Sequence, residues 1–555
     1  MNNIMIDDFK LPIEYNKDSK QLDDSLIKEL ELIETIDNHN ISIYDSIFYK
    51  KKVKFENDYT FSFVDNMAKT ITTDESFLKS TQKLIKNMDT NNSSFSIYES
   101  FYEEWKLFKD DLGFKDKYQY IDWEFAEKWN HNSTFLHINA IYNITSPIFS
   151  LISPLVLFLI PFIFILIQGY DINITEYLNM LNQLFPKHAI TKIFKFNEMD
   201  VGQKFYVLLI IGFYILNIYQ SILTCIRFYY NSKKISTFLS NTCNYLDNTL
   251  KNIRFFKTEM DKNVSGYDTF LTILQNKESQ IILLHQQISN NKLSFTNYGT
   301  VLKLFYELHE NNEYNDLFKY TFYLNNYYYQ LITVSEKLKN KFINCAKFNK
   351  NNKIIFKQIY YPAHCFKKSV KNNIKIGKNI IITGANASGK TTIVKSILIN
   401  LILSQQIGCG FYNSLHFTPF DYFYSYINIP DTLGRDSLFQ AEARRCKDIL
   451  DNIKRNGTHF CIFDELYSGT NPVEAVQSAN SFIQYLNKNK NVRFLLTTHY
   501  KELCNNDGIK NMFMFMQNNN YTYLIKNGIN NNNCVSKIFK DLGYPDEIIF
   551  GNIFK

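Results

Sequence analysis

The stretch Gly384-Ala-Asn-Ala-Ser-Gly389-Lys390-Thr391-Thr392 sets two glycines around a short polar loop and follows them with a lysine and two hydroxyls. A loop of this kind curls so that its backbone N–H groups converge on phosphates, while the lysine reaches the β/γ oxygens and the first threonine ligates Mg2+. Gly384, Asn386, Ser388, Gly389, Lys390, Thr391 and Thr392 are therefore the candidate nucleotide-binding residues, with Thr391 also a candidate metal ligand. The chemistry implied is ATP binding with Mg2+. A glycine-rich turn without a ligand is the plainer alternative, and the flanking pattern weighs against it. Asn379-Ile-Ile-Ile-Thr383 precedes the loop and Ile393-Val-Lys-Ser-Ile-Leu-Ile-Asn-Leu-Ile follows it, which reads as strand, phosphate loop, helix.

Further along, His459-Phe-Cys-Ile-Phe463 is a continuous apolar run suited to a buried parallel strand, and it ends in Asp464-Glu465. Asp464 is placed to hold Mg2+ and Glu465 to polarise the water that attacks the γ-phosphate. An acidic pair at a strand end serves equally as a helix N-cap. A third run, Val492-Arg-Phe-Leu-Leu-Thr-Thr498, ends in His499, a candidate for hydrogen bonding to the γ-phosphate or its water. A histidine at a strand end is usually incidental. Three strands that each deliver a polar group at the carboxyl end form a constellation, because open α/β sheets bind ligands there.

The order of Thr383-Gly-Ala-Asn-Ala-Ser-Gly-Lys-Thr-Thr, Ser437-Leu-Phe-Gln-Ala-Glu442, Phe463-Asp-Glu-Leu-Tyr-Ser-Gly-Thr470 and Thr497-Thr-His-Tyr-Lys-Glu-Leu503 resembles the ATPase domain of the MutS family. The resemblance extends upstream to Tyr361-Pro-Ala-His364 and Val370-Lys-Asn-Asn-Ile374, like the segment that touches adenine in the family, making Asn372 a candidate. It extends downstream through Gly528-Ile529 to Gly543-Tyr-Pro545-Asp-Glu-Ile-Ile549, similar to closing helices through which the family's chains dimerise. It implies an ABC-type P-loop NTPase fold with a mostly parallel sheet, a homodimer, DNA as partner, and a composite site in which Ser437 meets the γ-phosphate on the partner subunit. Ser388 and Ser468 depart from the family's glycine and arginine, and Asn533-Cys534-Val535 replaces its Ser-Tyr-Gly.

The helices that must carry this domain contain a second signal. From Pro147 to Ile167 no residue is charged, and Phe205 to Ile226 is another uncharged run. At about 1.5 Å per residue, either crosses a hydrocarbon layer of roughly 30 Å. A two-helix transmembrane hairpin is expected, with Pro154 and Pro161 tolerated inside a membrane helix. Two buried core helices are the alternative. Basic residues both in the connecting loop (Lys187, Lys192, Lys195, Lys204) and after the second span (Arg227, Lys233, Lys234) leave the orientation open by charge. ATP places the nucleotide domain in the cytosol or its equivalent. Met1-Asn-Asn-Ile-Met-Ile-Asp-Asp lacks the basic start and apolar core of a signal peptide.

The expected layout is a mostly helical region over 1–135, the hairpin over 145–227, a helical core and lever region over 228–350, and the ATPase over 351–555. Phe270, Ile273, Leu274, Ile281, Leu284 and Ile288 mark an apolar helical stripe in the third segment. A net charge of +7 is compatible with nucleic acid or anionic lipid and demands neither. Nine cysteines scattered without a close pair indicate neither zinc nor a disulfide framework. Mismatch recognition in the family uses Phe-x-Glu, and the triplets at Phe101, Phe125 and Phe305 are of the number that 48 phenylalanines produce by chance. Two functions stand side by side: a DNA-associated, membrane-anchored ATPase, and a membrane-remodelling or transport motor without DNA. The Leu-Ser-Gly-Gly-Gln signature of transporter ATPases is absent.

Overall fold

A computed structural model describes residues 9–35, 42–48, 58–90, 95–169, 173, 176–177, 180, 200–365, 369–427, 437–517, 520–529 and 543–545. The expected closing helix over 546–549, the Asn533-Cys534-Val535 departure and the loop residues Lys187, Lys192 and Lys195 lie outside the described residues. The chain forms two compact units, one from Met1–Phe95, Lys251–Glu278 and Lys319–Lys555, the other from Ser96–Leu250 and Ser279–Phe318.

The described N-terminal segment carries helices α1 (Asp24–Glu29), α2 (Ile43–Phe48), α3 (Asp58–Lys69) and α4 (Glu75–Asn87), with a short antiparallel pair, β1 (Ser19–Gln21) and β2 (Thr70–Thr72). Then come α5 (Phe95–Lys109), α6 (Phe114–Tyr118), α7 (Ser133–Ile167), α8 (Val201–Glu259), α9 (Tyr267–Asn290), α10 (Tyr298–Glu310) and α11 (Asn312–Lys339). The last part of α8 together with α9, α10 and α11 spans most of residues 228–350. Phe270, Leu274, Ile281, Leu284 and Ile288 of the stripe are buried and Ile273 is half-buried.

The first unit holds two sheets. One is mixed, in the order β5 (Asn372–Ile376), β4 (Ile354–Ile359), β8 (Ser414–Phe417), β3 (Asn344–Phe348), β7 (Cys409–Gly410). The other runs β13 (Asn520–Asn527), β12 (Lys510–Gln517), β6 (Ile380–Thr383), β11 (Val492–Thr498), β10 (His459–Asp464), β9 (Tyr422–Tyr426), parallel except for β13. β6, β10 and β11 are buried along almost their whole length, as continuous apolar runs must be when both faces of a parallel sheet are covered. Helix α12 (Lys390–Gln406) is buried on nearly every side. The N-terminal segment helps to enclose it: Gln406 donates to the Met67 carbonyl at 2.8 Å, Gln405 to that of Thr72 at 3.2 Å, and Lys395 pairs with Glu31 at 3.3 Å. Helices α13 (Leu438–Asn452) and α14 (Pro472–Lys488) complete this unit.

In the second unit, α7 and the first part of α8 lie antiparallel: Tyr214 donates to the Leu151 carbonyl at 3.0 Å and Cys225 to that of Ile144 at 3.5 Å. Both helices are long and apolar enough to cross a membrane. Ile148, Phe149, Ile160, Phe164, Leu208 and Phe213 are exposed on them. An aromatic core fills the rest of the unit, with Phe101 stacked on Tyr245 at 4.4 Å and Trp105 against Phe318 at 4.0 Å. Phe101 and Phe305 are thus core residues, whereas Phe125 is exposed beside Trp123.

Candidate nucleotide site

The three strand ends foreseen from sequence are adjacent. β6 pairs with β11 and β11 with β10, so Thr383 lies opposite Thr498 and Thr497 opposite Asp464. The phosphate loop, the acidic pair and His499 therefore leave one edge of the sheet side by side. The loop bends through Ala387 and Gly389, at φ 57° and 90°. At Gly389 a side chain would be strained by backbone angle, and its Cβ would meet the Tyr523 ring at 3.2 Å. Ser388 tightens the turn by donating its hydroxyl to the Ala385 carbonyl at 2.7 Å.

Lys390 is buried, and its ammonium donates to the carbonyls of Gly384 and Ala385, each at 3.2 Å. It also lies 2.9 Å from His499 Nε2 and 3.4 Å from Glu465 Oε1. His499 Nε2 is 2.8 Å from that same Glu465 oxygen. One ring nitrogen cannot both accept from Lys390 and donate to Glu465, so the tautomer decides which of these two contacts is a hydrogen bond. The hydrogen bond from His499, reinforced by the Lys390 charge, holds the Glu465 carboxyl below the usual glutamate range against the effect of burial. Burial lowers the Lys390 ammonium from its ordinary value, opposed by Glu465 and Asp464. Thr391 Oγ1 donates to Asp464 Oδ2 at 2.7 Å, and Thr497 donates to the other oxygen of that carboxylate.

A cavity of about 680 Å³ opens beside this cluster, lined by Asn386, Ser388, Gly389, Lys390, Thr391, Thr392, Asn372 and Glu465. Its far wall is Tyr361, His364, Val370 and Tyr523, from the upstream segment and β13. Gly384, Asp464 and His499 stand behind the lining and touch it through Lys390 and Thr391. Asn372 faces the cavity with its amide occupied on both ends: it donates to the Tyr523 carbonyl at 3.0 Å and accepts from Ile525 N at 2.8 Å. It clamps β5 to β13. Ser437 is exposed at the start of α13, where its hydroxyl oxygen accepts from Gln440 N at 3.3 Å as an N-cap.

Two residues escaped the sequence reading. Tyr523 sits on a strand whose composition carries no motif, and only the fold brings it against Gly389. Glu442 was visible only as one member of a motif; buried, it accepts from Ser468 N at 3.1 Å, Ser468 Oγ at 2.9 Å and Gly469 N at 3.2 Å. This fixes the turn after Glu465, itself in the left-handed region at φ 53°. Gly469 is required there, because a Cβ would lie 2.7 Å from the Leu438 side chain.

Residues 380–550 match the family model MutS domain V. Similar proteins include endonuclease MutS2 of Ligilactobacillus salivarius, 31% identical over 160 residues, covering 28% of this chain and 20% of the relative. Putative endonuclease MutS2 of Bacillus subtilis is 29% identical over 191 residues, 32% of this chain and 24% of the relative. The DNA mismatch repair protein MutS of Bacillus subtilis is 32% identical over 139 residues, 24% of this chain and 16% of the relative. The chain thus spans a quarter or less of the length of these relatives. The domain V match begins at β6 and encloses the phosphate loop, Asp464, Glu465 and His499, while the cavity wall at Tyr361 and Asn372 lies before it.

Proposed function

We propose that the protein is a MutS-type ATPase that dimerises around ATP, associates with DNA in mismatch repair or recombination, and is held in a membrane by two spans. The catalytic part rests on one observation: Lys390, Glu465 and His499 meet beside a loop-lined cavity, next to the Thr391–Asp464 pair. Lys390 supplies the cation for the β/γ oxygens. Glu465 orients the attacking water and takes its proton, and His499 links that carboxylate to the lysine. Thr391 and Asp464 would hold Mg2+, because a converging hydroxyl and carboxylate form the hard-oxygen set that this ion takes when phosphates and waters fill the rest. When bound there, the ion would supply charge neutralisation at the phosphates.

DNA association is supported by the names of the relatives, which include a mismatch repair protein and endonucleases. Membrane anchoring is supported by the antiparallel apolar helices, and the need for ATP supports a nucleotide domain that faces the cytosol or its equivalent. A membrane motor without DNA is the second reading. It is favoured by the burial of Phe101 and Phe305, which removes two of the three Phe-x-Glu triplets from any contact with bases. Equilibrium binding of mismatched, branched and homoduplex DNA to detergent-solubilised protein across a salt series separates the two.

The nucleotide site is tested by paired variants. Lys390→Ala should weaken ATP binding about 10- to 100-fold, the cost of a lost charged hydrogen bond. Glu465→Gln should retain ATP and slow hydrolysis about 10²- to 10⁴-fold. Wild-type turnover in Glu465→Gln would remove that residue from the mechanism.

A further inference from the structure

Two cysteines 64 residues apart meet at the edge of the five-stranded sheet, with their sulfurs 3.5 Å apart. Cys345 on β3 and Cys409 on β7 are direct antiparallel partners. The adjoining position carries a ladder bond, Ala346 N to Gly408 O at 2.9 Å. Cys345 and Cys409 therefore occupy the non-hydrogen-bonded pair, where Cα atoms approach to about 4.5 Å and side chains come closest. That spacing falls within the roughly 4.4–6.8 Å that a disulfide spans. Gln82 holds the strands in place by donating to the Ala346 carbonyl at 2.9 Å and the Gly408 carbonyl at 2.7 Å. Side-chain rotation is then the main movement needed to join the sulfurs.

The two thiols differ in kind. Cys409 is fully buried and Cys345 half-buried, so a small oxidant meets Cys345 first. The hydrogen bond from Cys409, helped by the Lys86 ammonium, holds the Cys345 thiol below its ordinary value against the effect of burial. Burial pushes the Cys446 thiol up to about 12 and the Cys243 thiol to about 11. Because the thiolate is the reactive species, Cys345 is the better nucleophile at neutral pH.

We propose that Cys345 and Cys409 are a peroxide-oxidisable dithiol whose disulfide closes the chain around the phosphate loop and its helix. The Cys345 thiolate attacks one peroxide oxygen; the O–O bond breaks, a sulfenic acid forms and hydroxide leaves. The Cys409 sulfur then attacks the Cys345 sulfur, the S–S bond forms, the S–O bond breaks, and water departs with the Cys409 proton. Two electrons pass from the thiols to one peroxide, and a dithiol reductant reverses the change. The bridge ties β3, where the chain enters the sheet, to β7, which leaves the end of α12.

The test treats reduced full-length protein with stoichiometric hydrogen peroxide, alkylates the remaining thiols, and maps peptides by mass spectrometry without reduction. The expected result is a Cys345–Cys409 cross-linked peptide that forms before other cysteines are modified and disappears with dithiothreitol. Oxidised protein should melt several degrees higher than reduced protein. Cys409→Ala should form no cross-link and instead accumulate a sulfenic acid at position 345 that dimedone traps. Cys345→Ser should show neither, with melting curves reporting that each variant is folded. Alkylation of both cysteines at peroxide doses that oxidise other thiols would overturn the proposal, as would cross-links that favour any other pair.

Discussion

Glu442 Oε1 lies 2.9 Å from Ser468 Oγ, joining the first turns of α13 to the turn that follows the acidic strand end. The sequence motif around Ser437 is thereby coupled to Glu465 within one chain.

Glu442→Ala should remove the acceptor of two backbone N–H groups of that turn, on exposed Ser468 and Gly469, a net loss of about 1 kcal/mol for each hydrogen bond. Thermal unfolding should shift down by several degrees, and ATP hydrolysis should fall with it because Glu465 loses its support. A variant with unchanged melting and turnover would show that the turn holds itself.

The Glu465 carboxyl titrates below its ordinary value of 4.5 in the folded protein because His499 and Lys390 favour its charged form. A group depressed on folding contributes stability that is fully present above the unfolded value and is lost as pH falls through the folded one. Melting temperature against pH should therefore show a gap between wild type and Glu465→Gln at neutral pH that closes in acid below about 4.5. Partial exposure of the side chain keeps this gap small. A gap that persists undiminished in strong acid would assign it to packing.

A composite dimer site makes complementation quantitative. Ser437→Ala and Lys390→Ala should each be inactive alone. Random mixing makes half of the dimers mixed, each with one intact site, so hydrolysis should return to about a quarter of the wild-type rate. Absence of recovery on mixing would mean that each chain completes its own site.

The antiparallel pair α7 and α8 should hold the protein in the membrane pellet after alkaline carbonate extraction. Replacing Phe213 and Leu209, both exposed, with lysine should release it or block insertion, since each charge at mid-span costs about 2.5–3.5 kcal/mol. Complete release of the unaltered protein would return both helices to a soluble assembly.

Much of the candidate nucleotide site was legible in the sequence because its information is local. A strand, a glycine-bounded loop and a lysine are contiguous, and an acidic pair or a histidine after a buried run can only emerge at a strand's carboxyl end. The long uncharged stretches were legible for the same reason, since length and the absence of charge are properties of a segment. Tertiary structure decided what depends on register between distant segments. It turned the amide of Asn372 toward β13, seated the carboxylate of Glu442 under Ser468 and Gly469, and set Tyr523 against Gly389. It also brought Cys345 to Cys409, which the spacing of nine scattered cysteines did not suggest. A shift of one residue in a strand turns each side chain to the opposite face, and composition carries no record of that choice.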